Sequence, residues 1–149
     1  MYSGDAGEVD FLRKMVDSED DKFSIIVDDG SHVPEHQLLA FNYLFEHGLD
    51  WGGKYVIEDI ETSYWTNGVL YNNEIGSDLG SINIVNVFKE RVDDVNKEFF
   101  DPWVESLIES IEFGHNCIIV TKVGLEGEGD RIYRMAGFVD GYKYESNSE

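Results

Sequence analysis

Two short apolar runs, each halted by a pair of acids, constrain this chain more than any other feature. Phe23-Ser24-Ile25-Ile26-Val27 stops at Asp28-Asp29-Gly30, and Lys54-Tyr55-Val56-Ile57 stops at Glu58-Asp59. Runs this short, β-branched and nearly continuous predict strands covered on both faces, as in a parallel sheet. Between them Leu38, Phe41, Leu44 and Phe45 recur on one helical face, with Pro34 in the first turn and Gly48 at the exit. Gly52-Gly53 supplies a tight turn into the second strand. A strand, a crossover helix and a second strand make a unit that joins parallel neighbours. Open sheets of this class bind ligands outside the carboxyl ends of their strands, so both acidic pairs are expected at one crevice.

Three or four carboxylates gathered there repel one another unless a cation or hydrogen-bond donors neutralise them. Hard oxygen ligands select Mg²⁺, Mn²⁺ or Ca²⁺, so a divalent metal is the economical expectation. The plainer alternative is that one acid of each pair caps the following helix or faces solvent. His32, three residues beyond Asp29 on the strand-to-helix turn, is the side chain best suited to take a proton near neutral pH. His36 reads as structural, and His47 and His115 have no acidic cluster beside them in the sequence.

Elsewhere the pattern is helical or irregular. Val9, Leu12 and Val16 predict a short helix that leaves through the acidic turn Ser18-Glu19-Asp20-Asp21. Residues Ile60 to Gly80, rich in Asn, Gly, Tyr and Trp, predict a long loop or lid. Val85, Phe88, Val92, Val95 and Phe99 step as one helical stripe, and Trp103, Val104, Leu107, Ile108 and Ile111 extend the same spacing. Cys117 to Val123 predicts a further strand, Ile132 to Met135 a hairpin partner for it, and the tail after it a frayed end. Gly124, Gly127 and Gly129 read as a charged hairpin turn, because no helix pattern follows them. With no repeat and no linker, residues 1–149 are expected to form a single domain.

The 31 acids against 11 bases give a formal charge of −20, which excludes nucleic acid and anionic membranes as expected partners and favours a cation or a neutral or cationic small molecule. A salt-adapted or highly soluble surface would account for most of that charge equally well. One cysteine, Cys117, permits neither a disulfide nor a cysteine-based metal cluster and is expected to be a buried structural thiol. No apolar stretch reaches membrane-spanning length and the acidic amino terminus is no signal peptide, so a soluble cytoplasmic protein is expected.

The segments Phe-Ser-Ile-Ile-Val-Asp-Asp-Gly-Ser-His-Val-Pro-Glu-His and Trp-Gly-Gly-Lys-Tyr-Val-Ile-Glu-Asp-Ile-Glu-Thr-Ser-Tyr-Trp resemble the fourth and fifth strands of class I S-adenosylmethionine-dependent methyltransferases. Within that class they are most similar to the metal-dependent sugar O-methyltransferases of macrolide biosynthesis, the mycinamicin type, and their cephalosporin-hydroxylase-like relatives. The match runs from about Gly4 to Trp65, with a looser one at Ile108 to Lys122. The resemblance implies a Rossmann-like α/β fold, mostly parallel with a carboxy-terminal antiparallel hairpin. The family's first strand and glycine-rich loop would stand before Gly4, so the domain is expected to be truncated on its amino-terminal side. Sheet edges left open by that truncation imply a homo-oligomer or a missing amino-terminal segment.

By position, Asp29, Glu58 and Asp59 resemble the family's metal ligands and His32 its general base. Gly4, Asp5 and Ala6 resemble the segment that contacts the adenosyl group, with Asp28 a further cofactor contact. The cofactors implied are S-adenosylmethionine and Mg²⁺ or Mn²⁺, and the reaction is methylation of a hydroxyl on a small molecule or glycoside. Tyr64 and Trp65 either wall the acceptor pocket or pack in the core, and the core is favoured because aromatics after a strand are more often buried. Two other classes remain: a non-catalytic metal-binding or interaction module keeping Asp29, Glu58 and Asp59, and a metal-dependent hydroxylase or hydrolase using the same cluster.

Overall fold

A computed structural model describes residues 3–97 and 106–124. Helix α1 (Val9–Asp17) leads to strand β1 (Phe23–Asp28), helix α2 (Pro34–His47) and strand β2 (Leu49–Glu58). A 3₁₀ helix (Ile60–Tyr64), strands β3 (Gly68–Leu70) and β4 (Asn73–Ile75) and a second 3₁₀ turn (Ser77–Leu79) follow. Helices α3 (Ile84–Glu90) and α4 (Val92–Val95) and strands β5 (Ile108–Gly114) and β6 (Cys117–Lys122) complete the described elements. The main sheet has the order β1-β2-β6-β5. β1 and β2 pair in parallel, as the crossover through α2 requires, whereas β6 runs antiparallel to both β2 and β5.

One face of this sheet carries the core. Tyr55 and Ile57 of β2 and Ile118 and Val120 of β6 alternate onto it and are fully buried, against Phe41, Leu44 and Phe45 of α2 and Phe88 of α3. Phe41 stands edge-on to both Tyr55 and Phe88, at centroid distances of 5.3 Å and 4.8 Å. Lys122 alternates onto the same face, where its ammonium donates to the carbonyls of Phe45, Glu46 and Leu49. It thereby satisfies two carbonyls in the last turn of α2, those of Phe45 and Glu46, together with that of the first residue of β2. Lys22 adds a further bond, to the carbonyl of His47.

Several expectations are corrected. β1 is not covered on both faces: Ile25 and Val27 are 63% and 53% exposed, because among the described residues the helices pack on one side of the sheet. Gly52-Gly53 lies within β2 as an irregularity, Gly52 taking a φ of 73°, and five residue steps of β2 (Leu49 to Lys54) face two of β1 (Phe23 to Ile25). The segment after β2 is not a featureless lid. Ile75 is fully buried, Ser77 N–H bonds the Trp65 carbonyl at 2.8 Å, and Asn83 Nδ2 donates to the Ser63 carbonyl at 2.6 Å. The stripe from Val85 is broken at Arg91 into α3 and α4, and Ile108 and Ile111 stand in strand β5, where pairing with β6 overrides their helical spacing. Cys117 is half-buried on β6. The antiparallel hairpin is β5–β6; Phe99, Trp103, Val104, Gly127, Gly129 and the expected hairpin strand at Ile132 to Met135 lie outside the described residues.

Candidate metal centre and active site

The two acidic strand ends do converge. Parallel pairing places Asp28 opposite Ile57, so β1 and β2 end side by side and the residues that follow them enter one crevice. One ligand atom from each of Asp29, His32 and Asp59 lies within 4.8 Å of the other two. His32 Nε2 is 3.5 Å from Asp59 Oδ2 and 3.9 Å from Asp29 Oδ1. The two carboxylates suit a hard divalent cation such as Mg²⁺ or Mn²⁺, whereas the imidazole beside them is a ligand more usual for transition-metal ions. The carboxylate pair therefore fits the metal that the sequence led us to expect.

Backbone conformation produces this arrangement. His32 and Asp59 both adopt left-handed φ values, 55° and 51°. Such residues break the alternation of a strand and cost about 1–3 kcal/mol each unless their surroundings hold them. Around His32 the hold comes from Ser31, whose hydroxyl meets His36 Nδ1 at 3.0 Å and accepts from Val33 N–H at 3.4 Å. His36 packs against Gly7 as well, where a Cβ would fall 3.0 Å from its ring. Nδ1 of His32 is buried and makes no hydrogen bond within the described protein.

Glu58 is not one of the clustered donors. It is the last residue of β2, and its carbonyl accepts from buried Gln37 Nε2 at 2.8 Å. Asp28, by contrast, turns toward the core, where the Tyr55 hydroxyl donates to its Oδ2 at 3.3 Å. Burial pushes the Asp28 carboxyl above the usual range, opposed by the Tyr55 and Gly30 hydrogen bonds and by His32. Burial, then the neighbouring Asp28 charge, raises the Tyr55 phenol as well.

Next to the cluster an open groove of about 370 Å³ runs between α1 and β1, lined by Ala6, Phe11, Val27, Asp28, Asp29 and Gly30 among others. Asp29 thus borders both the groove and the cluster. Gly4 and Asp5 do not line it: a Cβ on Gly4 would fall 2.1 Å from the Phe11 ring, and Asp5 Oδ1 accepts from Gly7 N–H at 2.8 Å. Tyr64 and Trp65 are 64% and 36% exposed, so the expectation that they are core is overturned. The residue that sequence reasoning missed is Asn116, whose Nδ2 donates to Asp59 Oδ1 at 2.8 Å. Its signal was the Gly-His-Asn string between two β-branched stretches, a hairpin turn hidden by reading Ile108 and Ile111 as helical.

The chain is 32% identical over 114 residues to demethylmacrocin O-methyltransferase of Streptomyces fradiae, and 42% identical over 62 residues to mycinamicin VI 2''-O-methyltransferase of Micromonospora griseorubida. It aligns with the solved structure of the MycE methyltransferase of the mycinamycin biosynthetic pathway, in complex with Mg, SAH and mycinamycin VI, at a TM-score of 0.64 and 29% identity over 85% of its own length. The chain is a relative of the mycinamicin-type sugar O-methyltransferases. Its matched region is 72% of this chain but only 28% of the Streptomyces fradiae protein, 42% and 15% for the Micromonospora protein, and 32% of the MycE chain. No protein-family model matches it. The mixed α/β sheet described above is the part of the Rossmann-like methyltransferase fold that this relative holds. No helix among the described residues is long and apolar enough to cross a membrane.

Proposed function

We propose that this chain forms the metal-handling part of an S-adenosylmethionine-dependent O-methyltransferase that acts on a hydroxyl of a small molecule or glycoside. The observation that carries the reading is the convergence of Asp29, His32 and Asp59 at the paired ends of β1 and β2. The similarity to mycinamicin VI 2''-O-methyltransferase and to an 8-demethyl-8-alpha-L-rhamnosyl tetracenomycin-C 2'-O-methyltransferase of Streptomyces olivaceus supports it.

In this reading Asp29 and Asp59 hold a divalent cation, with Glu58 at the end of β2 as a third carboxylate ligand. The cation would supply Lewis-acid polarisation of the acceptor hydroxyl. His32 Nε2 accepts the hydroxyl proton as the oxygen attacks. Asp28, Ala6 and the groove beside them receive the cofactor, with Gly4 and Asp5 shaping the loop at its edge. S-adenosylmethionine would supply an electrophilic methyl group on a sulfonium centre. Tyr64 and Trp65, exposed just after the acidic strand end, offer flat apolar surface to the acceptor. The exposed Ile25 and Val27 support the further reading that β1 is covered by additional polypeptide in the working protein, a second copy or a preceding segment.

A second assignment is favoured by one observation: His32 stands among the clustered donors and Glu58 does not, which suits His32 as the third ligand in place of the base. Mn²⁺ binding to the purified chain, followed by the loss of the free-ion electron paramagnetic resonance signal, tests both. Asp59→Asn is expected to weaken binding at least tenfold. Under the general-base assignment His32→Ala keeps its Mn²⁺ affinity; under the ligand assignment it loses affinity as Asp59→Asn does. Wild-type affinity in both variants would refute a metal centre here.

A further inference from the structure

The metal-centre reading leaves one arrangement unassigned, the grip of the β5–β6 turn on the end of β2. Asn116 lies in that turn, 57 positions beyond Asp59, and both polar atoms of its carboxamide are engaged with the segment after β2. Nδ2 donates to Asp59 Oδ1 at 2.8 Å, and Oδ1 accepts from the Glu61 N–H at 2.9 Å. The Asn116 carbonyl accepts a longer bond from Ile60 N–H, at 3.5 Å. The residue is half-buried and itself left-handed, with φ 58°.

We propose that Asn116 is the positioning residue of the metal centre, fixing the rotation of the Asp59 carboxylate. The proposal rests on the reading of Asp29, His32 and Asp59 as a cation site. With Oδ1 of Asp59 held by Asn116, its other oxygen is the one turned to His32 Nε2 at 3.5 Å. Asparagine suits the place because its carboxamide is donor and acceptor at once. An aspartate could accept from Glu61 N–H but would meet Asp59 with a second negative charge, and a serine is too short to span both partners. Asparagine also enters the left-handed region more readily than most residues. Asp59, left-handed too, has its side chain fixed from a different strand pair from the one that carries its backbone. The polar partners that orient ligating groups change metal affinity by about 10–100-fold when removed.

The test uses Asn116→Gly in the full chain. Glycine keeps the left-handed backbone of the turn and deletes only the carboxamide. Mn²⁺ affinity is read by the free-ion resonance signal and folding by the thermal melt followed by circular dichroism. The expected result is a cooperative melt with Mn²⁺ affinity lowered about tenfold or more. The double variant Asn116→Gly with Asp59→Gly, titrated into the millimolar range, should bind no more weakly than Asp59→Gly alone, because the carboxamide acts through that carboxylate and glycine at 59 keeps the left-handed backbone without it. A merely structural role would instead add its own loss in the double variant. Wild-type affinity in Asn116→Gly with lost affinity in Asp59→Asn overturns the positioning role alone. Wild-type affinity in Asp59→Asn overturns the site reading beneath it.

Discussion

Replacing Tyr55 by Phe isolates one hydrogen bond beside the site. The residue is fully buried and its ring stands edge-on to Phe41, contacts that a phenylalanine keeps. What is lost is the hydroxyl that donates to Asp28 Oδ2 at 3.3 Å. Hydrogen bonds to a charged group contribute about 1.5–3 kcal/mol. Bonds from a hydroxyl to a carboxylate are ordinarily about 2.5–2.7 Å, so this long one belongs at the low end, about 1.5 kcal/mol. The pH dependence has a definite sign. Burial holds the Asp28 carboxyl above its ordinary value, and the Tyr55 bond is the first of the causes opposing that rise. A carboxyl raised in the fold contributes stability that is full below its unfolded value, about 3.9, and is lost as pH rises through its folded value. Tyr55→Phe raises the folded value further, so its cost is largest at neutral pH and shrinks on acidification toward about 0.5 kcal/mol, that of a neutral bond. Urea denaturation of both proteins at pH 7 and pH 4, followed by circular dichroism, measures the difference while the other acids cancel. In an Asp28→Asn background the cost at pH 7 should also fall to the neutral figure. An equal cost at both pH values, or an undiminished cost in the Asp28→Asn background, would refute this account.

Lys122→Met removes an ammonium that bonds three carbonyls at 2.8, 3.1 and 2.9 Å. The relief of burying a charge offsets part of that loss, and a net destabilisation of about 3 kcal/mol is expected in urea; a loss below about 1 kcal/mol would mean water replaces the ammonium. Gly76→Ala combines a φ of 136° with a Cβ only 2.4 Å from the Thr66 carbonyl oxygen. A cost of about 2 kcal/mol or more is expected, seen as a lower melting temperature, and an unchanged melt would show that the β3–β4 hairpin moves freely.

The fold was legible where one physical rule governed a segment alone. Short β-branched runs ending in acids located β1 and β2, and the apolar face of Phe41, Leu44 and Phe45 located α2. It was illegible where partners decided. Ile108 and Ile111 carry helical spacing yet pair with Lys122 and Val120, because a strand already in the sheet offers an unpaired edge. Trp65 looked like core by residue type, but its ring lies against Gly68, where a Cβ would come within 2.6 Å, and it stays partly exposed. Chemistry at a backbone turn is likewise invisible to periodicity. Ser31 bonds Val33 and His36 across the left-handed His32 through side-chain contacts that no spacing rule describes.

The candidate site shows the same division between what adjacent residues dictate and what distant ones add. Asp29 and Asp59 were readable because parallel pairing of β1 with β2 must bring their carboxyl ends together. Spacing alone did not say which acid of each pair faces the crevice; the family resemblance singled out Asp29 in the first pair and left both Glu58 and Asp59 in the second. Asp28 is drawn to the Tyr55 hydroxyl and Asp59 is turned by a left-handed backbone, while Glu58 remains the last residue of the strand. The choice within each pair therefore depends on groups outside the motif: Tyr55 across the parallel pair and Asn116 across the antiparallel one. A motif of two acidic pairs is consequently compatible with more than one cluster. The hairpin turn that contributes Asn116 selects the one in which Asp59 meets His32, so the β5–β6 strand pair serves the site even though it contributes none of the clustered donors.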